Sequence, residues 1–257
     1  MTVREFEERR IDTQAVTAPA PQHPLTDLVP SHPDLADLPP LRTAMVTRCA
    51  RPARRLFQWQ WDLQVQGTEH VPADGPVILA SNHIAVLDGP LAVAASPRPT
   101  YALAKAELFR GVVGRFLEAT GQIPVHRRQV DKRAIRRCLQ VLNGGGALAV
   151  FPEGVRGLGD FQHAFGGATY LALVTGAPIV PVAMLGTREP GQSTKQLPRR
   201  GRPIHVVYGP PIPMPQLSWP RRRTEVATLT EDVRIQLAAH VAGSQELTGL
   251  RLPGPPA

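Results

Sequence analysis

Asp131-Lys132-Arg133-Ala134-Ile135-Arg136-Arg137-Cys138-Leu139-Gln140-Val141-Leu142-Asn143-Gly144-Gly145-Gly146-Ala147-Leu148-Ala149-Val150-Phe151 reads as a helix feeding directly into a buried strand. Ile135, Cys138, Leu139 and Leu142 recur at three- and four-residue steps, which gathers them on one helical face. The glycine run ends the helix, since glycine readily takes the left-handed conformation that closes one. The apolar run 147–151 then has no polar partner positions, as in a strand covered on both sides. The same alternation extends outward in both directions. Strands are expected at 77–80, 100–103, 123–125, 179–184 and 204–208, and helices at 91–95, 107–119, 167–175 and 224–241. The 107–119 helix would carry Leu108, Phe109, Val112, Val113, Phe116 and Leu117 on one broad face. Alternating strands and helices predict an α/β fold, a largely parallel central sheet flanked by helices. Ligands of such sheets sit beyond the carboxyl ends of the strands.

Residues 1–40 are polar and rich in proline and are expected to form an irregular N-terminal arm. Residues 41–257 are expected to form the domain proper, with its motifs in 61–212 and a closing helix at 224–241. Proline totals 28 of 257, about twice its average share of roughly 5%. Two cysteines, Cys49 and Cys138, make neither a disulfide framework nor a metal cluster, so no metal site is expected. The first ten residues carry acids and no apolar run, unlike a signal peptide. The longest apolar region, 168–186, is interrupted by Gly176, Pro178 and Pro181 and predicts no transmembrane helix. A cytoplasmic location follows as the expectation.

Net charge is +8 and almost all of the cationic surplus is arginine, because Lys105, Lys132 and Lys195 are the only lysines. Such a surplus favours anionic partners, and arginine grips phosphate as a planar fork. Aromatics are only 5% and are not interleaved with basic residues, which argues against nucleic acid. Segment 41–61 collects Arg42, Arg48, Arg51, Arg54 and Arg55 with Leu56, Phe57, Trp59 and Trp61, and holds no acid. It reads either as a solvated basic helix with docked aromatics or as an interfacial segment on lipid phosphates.

Chemistry concentrates after two of the strands. Asn82-His83 is followed by Asp88, a spacing that does not align on a regular helix, so His83 belongs to a loop and Asp88 to the next helix start. The two can form a base and its orienting carboxylate. Each also has a plainer reading, Asp88 as a helix cap before Gly89-Pro90 and His83 as a loop histidine bonded to backbone. Phe151-Pro152-Glu153-Gly154-Val155-Arg156 forms a turn able to hold an anion, and Gly121 to Arg127 ends in a second arginine at a strand terminus. Together they suggest a hydroxyl made nucleophilic beside a bound phosphate.

In this order the blocks resemble the glycerolipid acyltransferase family, of the 1-acyl-glycerol-3-phosphate acyltransferase type. Asn82, His83 and Asp88 match its N-H-x4-D block, and Gly121 and Arg127 its G-x-x-[FV]-I-x-R block. Phe151, Pro152, Glu153, Gly154 and Arg156 match F-P-E-G-[TS]-R, with Val155 replacing the hydroxyl residue. Ala177-Pro178-Ile179-Val180-Pro181-Val182 matches the fourth, apolar block. The resemblance implies a glycerol-3-phosphate acyltransferase-like fold, with His83 as general base and Asp88 as its orienting acid. Asn82, Lys105, Arg127, Glu153, Gly154 and Arg156 would line the substrate. It implies no cofactor. Acyl-CoA or acyl-carrier protein would be the donor and a lysophospholipid, 1-acyl-glycerol-3-phosphate, the acceptor. An anionic membrane surface would be a further partner, with peripheral attachment at the inner face of the plasma membrane. The same chemistry on glycerol-3-phosphate or another lyso-lipid, and a non-catalytic anionic-lipid-binding protein, are the alternatives.

Overall fold

The computed structural model describes residues 35, 37–41, 43–126 and 131–257. The described residues all belong to one compact unit, His32–Ala257. Most of the 1–40 arm, and Arg127 with Arg128, lie outside the described residues.

Helix α1 (Thr43–Gln60) leads into the edge strand β1 (Asp62–Gln66), then β2 (Val77–Ser81), α2 (Asp88–Ala94) and β3 (Thr100–Lys105). Next come α3 (Gly111–Ala119), β4 (Ile123–Val125), α4 (Lys132–Asn143), β5 (Ala147–Val150) and α5 (Gly167–Thr175). The chain finishes with β6 (Ile179–Leu185), β7 (Pro203–Tyr208) and α6 (Arg223–Thr248). The strands form one sheet in the order β1-β7-β6-β2-β5-β3-β4. Five of its six pairings are parallel and only β6–β7 is antiparallel. This is the α/β architecture expected from the alternation, with helices on both faces.

Strand alternation splits the core in two. Ile78, Ala80, Leu148, Val150, Ile179 and Ala183 face α4, α5 and α6. Val77, Leu79, Ala147, Ala149, Val180, Val182 and Met184 face the side of α2 and Trp61. Because β2, β5 and β6 are buried on both faces, each reads as an unbroken apolar run.

Several expected boundaries move. The short alternating sequence of β1, with Leu63 inward and Asp62 and Gln64 outward, was too brief and polar to announce a strand. Helix α1 continues to Gln60. Trp61 turns into the core and donates from Nε1 to Pro198 O at 3.1 Å, whereas Trp59 stays outside beneath Arg200. The expected 107–119 helix is broken: a 3-10 turn at Ala106–Leu108 is separated from α3 by Arg110, whose backbone is extended. Helix α6 runs past residue 241 to Thr248, since Gly243 is accommodated inside it and Gly249 supplies the terminating left-handed conformation.

Candidate active site

Parallel strands β2, β5, β3 and β6 all finish on one rim of the sheet, and the loops leaving them converge there. The loop after β2 carries Asn82 and His83, and Asp88 opens α2. His83 is 4% exposed and Asp88 fully buried. The His83 Nδ1 and Asp88 Oδ2 lie 2.9 Å apart. The loop curls around the carboxylate, so the same oxygen also accepts the Ile84 and Ala85 backbone N–H groups at 2.7 Å each. That wrapping is how a five-residue spacing, useless on a helix, brings ring and carboxylate together. Thr187 Oγ1 donates to the other oxygen, Oδ1, at 2.6 Å. Facing a carboxylate, Nδ1 takes the donor role and Nε2 becomes the lone-pair nitrogen. Among the described residues Nε2 has no hydrogen bond, and the ring stacks on Phe151 with centroids 4.1 Å apart.

Asn82 anchors this loop. It is fully buried, its amide Nδ2 donates to Met184 O at 3.1 Å and its Oδ1 accepts from Met184 N–H at 2.7 Å. Both ends of the amide are therefore bonded to the neighbouring strand β6.

The turn after β5 clasps the His83 peptide from both sides. Glu153 Oε2 accepts the His83 N–H at 2.7 Å, and Gly157 N–H donates to His83 O at 2.8 Å. Glu153 Oε1 also accepts from Phe161 N–H at 3.3 Å. Its carboxylate is thus directed at main chain. Gly154 has φ 69°, and a side chain there would meet the Phe165 ring at 2.7 Å, so turn and ring require glycine. The Gly154 N–H is itself bonded to Phe151 O at 2.9 Å.

Burial pushes the Glu153 carboxyl up from 4.5 to about 7, against the opposing pull of its backbone donors. An acid with a raised folded-state value holds a proton that the unfolded chain has released. Its contribution to stability is therefore complete below the ordinary value and is lost as pH rises towards about 7. Glu153→Gln is expected to flatten this part of the stability profile. Urea midpoints measured between about pH 5 and 8 check it, and an unchanged slope in the variant would assign the dependence to another group.

Two residues of this rim escaped the reading of the sequence, Thr187 and Arg188, which leave β6 as His83 leaves β2. Arg188 is only 1% exposed, yet it has no carboxylate partner within ion-pair distance among the described residues. Its guanidinium instead donates to four carbonyls: Ile84 (3.0 Å), Gln192 (3.1 Å), Gly157 (3.0 Å) and Gly254 (2.6 Å). Burial lowers its pKa and the nearby Asp88 opposes that shift. The available signal was positional: a threonine and an arginine directly following a central strand at the ligand-bearing rim.

The basic residues are spread more widely. Lys105 ends β3 on this rim, is exposed and pairs with Glu107 at 3.4 Å. Arg156 is half-buried in the turn that carries Glu153. Arg127, expected at the end of β4, is outside the described residues. No group of three His, Cys, Asp or Glu side chains among the described residues converges to hold a metal ion. What the rim presents is a buried imidazole backed by a carboxylate, locked to a glycine turn with an arginine. Such a pair can take a proton from a hydroxyl and return it.

Comparison with known proteins meets this geometry over the same residues. Residues 62–185 match the family model described as Acyltransferase. A 1-acyl-sn-glycerol-3-phosphate acyltransferase of Borreliella burgdorferi is 34% identical over 127 residues, covering 48% of this chain and 51% of that protein. A chloroplastic 1-acyl-sn-glycerol-3-phosphate acyltransferase of Brassica napus is 33% identical over 134 residues, covering 48% of this chain and 37% of that protein. The chain thus spans about half the length, or less, of these curated relatives. The crystal structure of a 1-acyl-sn-glycerophosphate acyltransferase from Thermotoga maritima shares the fold, with a TM-score of 0.62 at 22% identity over 79% of this chain and 81% of that one. The strand-end motifs, the matched segment and the shared sheet agree: over residues 62–185 the chain is similar to the acyltransferase family, and its sheet shares the fold of a solved member.

Proposed function

We propose that the chain is an O-acyltransferase of phospholipid biosynthesis. It moves a fatty acyl group from acyl-CoA or acyl-carrier protein to the free hydroxyl of 1-acyl-glycerol-3-phosphate, giving phosphatidate. The observation that carries this reading is the 2.9 Å contact between His83 and Asp88 on a rim shared with the Glu153–Arg156 turn. His83 Nε2 takes the proton of the acceptor hydroxyl as its oxygen attacks the thioester carbonyl. Asp88 holds the ring and balances the imidazolium charge. The tetrahedral intermediate then expels the thiolate, which recovers the proton from His83 and leaves as the free thiol. Arg156, Arg127 and Lys105 would bind the acceptor phosphate, with charge-assisted bonds worth about 1.5–3 kcal/mol each. Asn82 and Glu153 hold the His83 loop in place, and Gly154 permits the turn. The test offers purified protein acyl-CoA and, separately, acyl-carrier protein, each with glycerol-3-phosphate, lysophosphatidate and other lyso-lipids, and follows thiol release and product mass. Absence of thiol release with every acceptor would overturn the reading.

A lipid acceptor requires access to a membrane, and no helix among the described residues is long and apolar enough to cross one. Docking on an anionic bilayer is supported by what the rim exposes. Leu108, Val112, Val113 and Phe116 are all exposed, Val112 by 82%. They form the apolar face of the segment that leaves β3, with exposed Arg110 and Arg115 beside them. A helical pattern predicts which side chains share a face, and here that face is left uncovered. Trp59 and Arg200 approach the same rim, because β1 starts beside the start of β7, itself antiparallel to β6. The attachment expected from 41–61 therefore extends to α3. Phe116→Ser is expected to weaken sedimentation with acidic vesicles by at least ~10-fold, since one buried phenylalanine contributes about 1.5–3 kcal/mol. Unchanged binding in that variant would remove α3 from the docking face.

A further inference from the structure

A groove outside the His83 site has the chemistry of a nucleotide site. It runs between α5 and the first turns of α6, encloses about 530 Å³, and is lined by Gly166, Tyr170, Trp219, Arg221, Arg223 and Thr230. Arg221 lies over the Tyr170 ring, with its guanidinium carbon 5.8 Å from the centroid. Its Nε is sealed from solvent and has no hydrogen-bond partner among the described residues. Sealed in this way, the Nε cannot itself meet a ligand in the groove, and Arg221 has only its remaining guanidinium nitrogens to offer an anion there. Trp219, 63% exposed, offers a flat apolar face beside it, and Arg222 and Arg223 are exposed. The one acid of the lining, Glu231, is engaged by Arg234 at 2.6 and 2.8 Å, so its charge is matched within α6.

The groove is joined to the active rim by two short contacts. Phe165, between the lining residues Ala164 and Gly166, donates from its N–H to Pro152 O at 2.8 Å and rests its ring against Gly154. Arg234 donates to Phe161 O at 2.8 Å, and Phe161 N–H is bonded to Glu153. A ligand filling the groove would thus border the turn that holds His83 without reaching the imidazole.

We propose that this groove binds the adenosine 3′,5′-bisphosphate end of a coenzyme A thioester, and the assignment rests on the acyl-transfer reading. The purine stacks on Trp219, and the phosphates meet Arg221 and Arg223. The long pantetheine arm passes Phe165 and delivers the thioester carbonyl to the rim. A glycerol phosphate headgroup does not suit the groove. Its hydroxyl must lie within hydrogen-bonding reach of His83, and His83 is not among the residues that line the groove. Aromatic stacking beside clustered guanidinium groups matches a nucleotide better than a bare phosphate.

The test has two independent arms on the full chain. Calorimetric titration with adenosine 3′,5′-bisphosphate is expected to show binding to the wild type. Arg221→Gln and Arg223→Gln should each weaken it by ~10-fold, the loss of about one charge-assisted bond. In turnover, both variants should raise KM for acyl-CoA with kcat within about twofold, the pattern of lost ground-state binding. A thioester of pantetheine, which lacks the nucleotide, should be used equally well by variants and wild type. Arg223 is exposed, so its variant keeps the test alive if Arg221→Gln fails to fold. Turnover with acyl-CoA but no bisphosphate binding, or KM values unmoved by both substitutions, would overturn the groove assignment while leaving the acyltransferase reading in place. Bisphosphate binding lost in the variants without turnover on any acceptor would support the nucleotide site and sink the acyl-transfer reading instead.

Discussion

His83→Ala is expected to leave the sheet intact and to lower turnover by the roughly 10²–10⁴-fold typical of a lost general base. The ring is buried but stands just past the end of β2, so its removal gives up the stacking on Phe151 and leaves the strand pairings untouched. Circular dichroism should therefore show a folded variant whose rate of thiol release is lost. Asp88→Ala should reach a similar rate, because His83 receives its orientation from that carboxylate, and the double variant should be little worse than either alone. Turnover within about twofold of wild type in His83→Ala would end the mechanism, however closely the fold matches that of an acyltransferase.

Arg188→Met should act in the opposite sense, on the fold before the chemistry. Methionine can occupy the space, but the carbonyls of Ile84, Gly157 and Gly254 lose their donor and Gln192 O keeps only the Ala257 N–H at 3.4 Å. An unsatisfied buried acceptor costs about 1–3 kcal/mol. With several released together, a loss of at least about 3 kcal/mol is expected, which is a large part of a typical domain's stability. Urea denaturation measures it. Arg188→Lys should recover little, since an ammonium cannot span four acceptors arranged for a planar fork. A variant as stable as wild type would show that the four carbonyls find water or other donors.

The fold was legible because its central strands are buried on both faces and its helices present regular apolar stripes. Both properties are local, and both are written in runs such as 131–151. The approximate rim positions of His83 and Glu153 were legible for a related reason, since each directly follows such a strand. The partners of these side chains were not. Asn82 bonds Met184 and Arg188 bonds Ile84 across more than a hundred residues, and no periodicity marks pairs so far apart. Glu153 illustrates the limit: its place on the rim is written in the sequence, but its engagement with the His83 backbone depends on two loops meeting. The stripe of α3 shows the converse. An amphipathic pattern identifies an apolar face but carries no information about what covers it, and Val112 and Phe116 remain uncovered.

The peptide of His83 is gripped at its N–H by Glu153 and at its carbonyl by Gly157, so the imidazole and the glycine turn form a single rigid jaw. If Arg156 in that turn anchors the phosphate, the gap between anion anchor and proton-accepting nitrogen is set before any substrate arrives. On the acyl-transfer reading proposed above, the site would then gauge an acceptor like a caliper, by the separation of hydroxyl and phosphate. A lyso-lipid with a longer bridge between them would bind by its headgroup yet hold its oxygen out of line for attack.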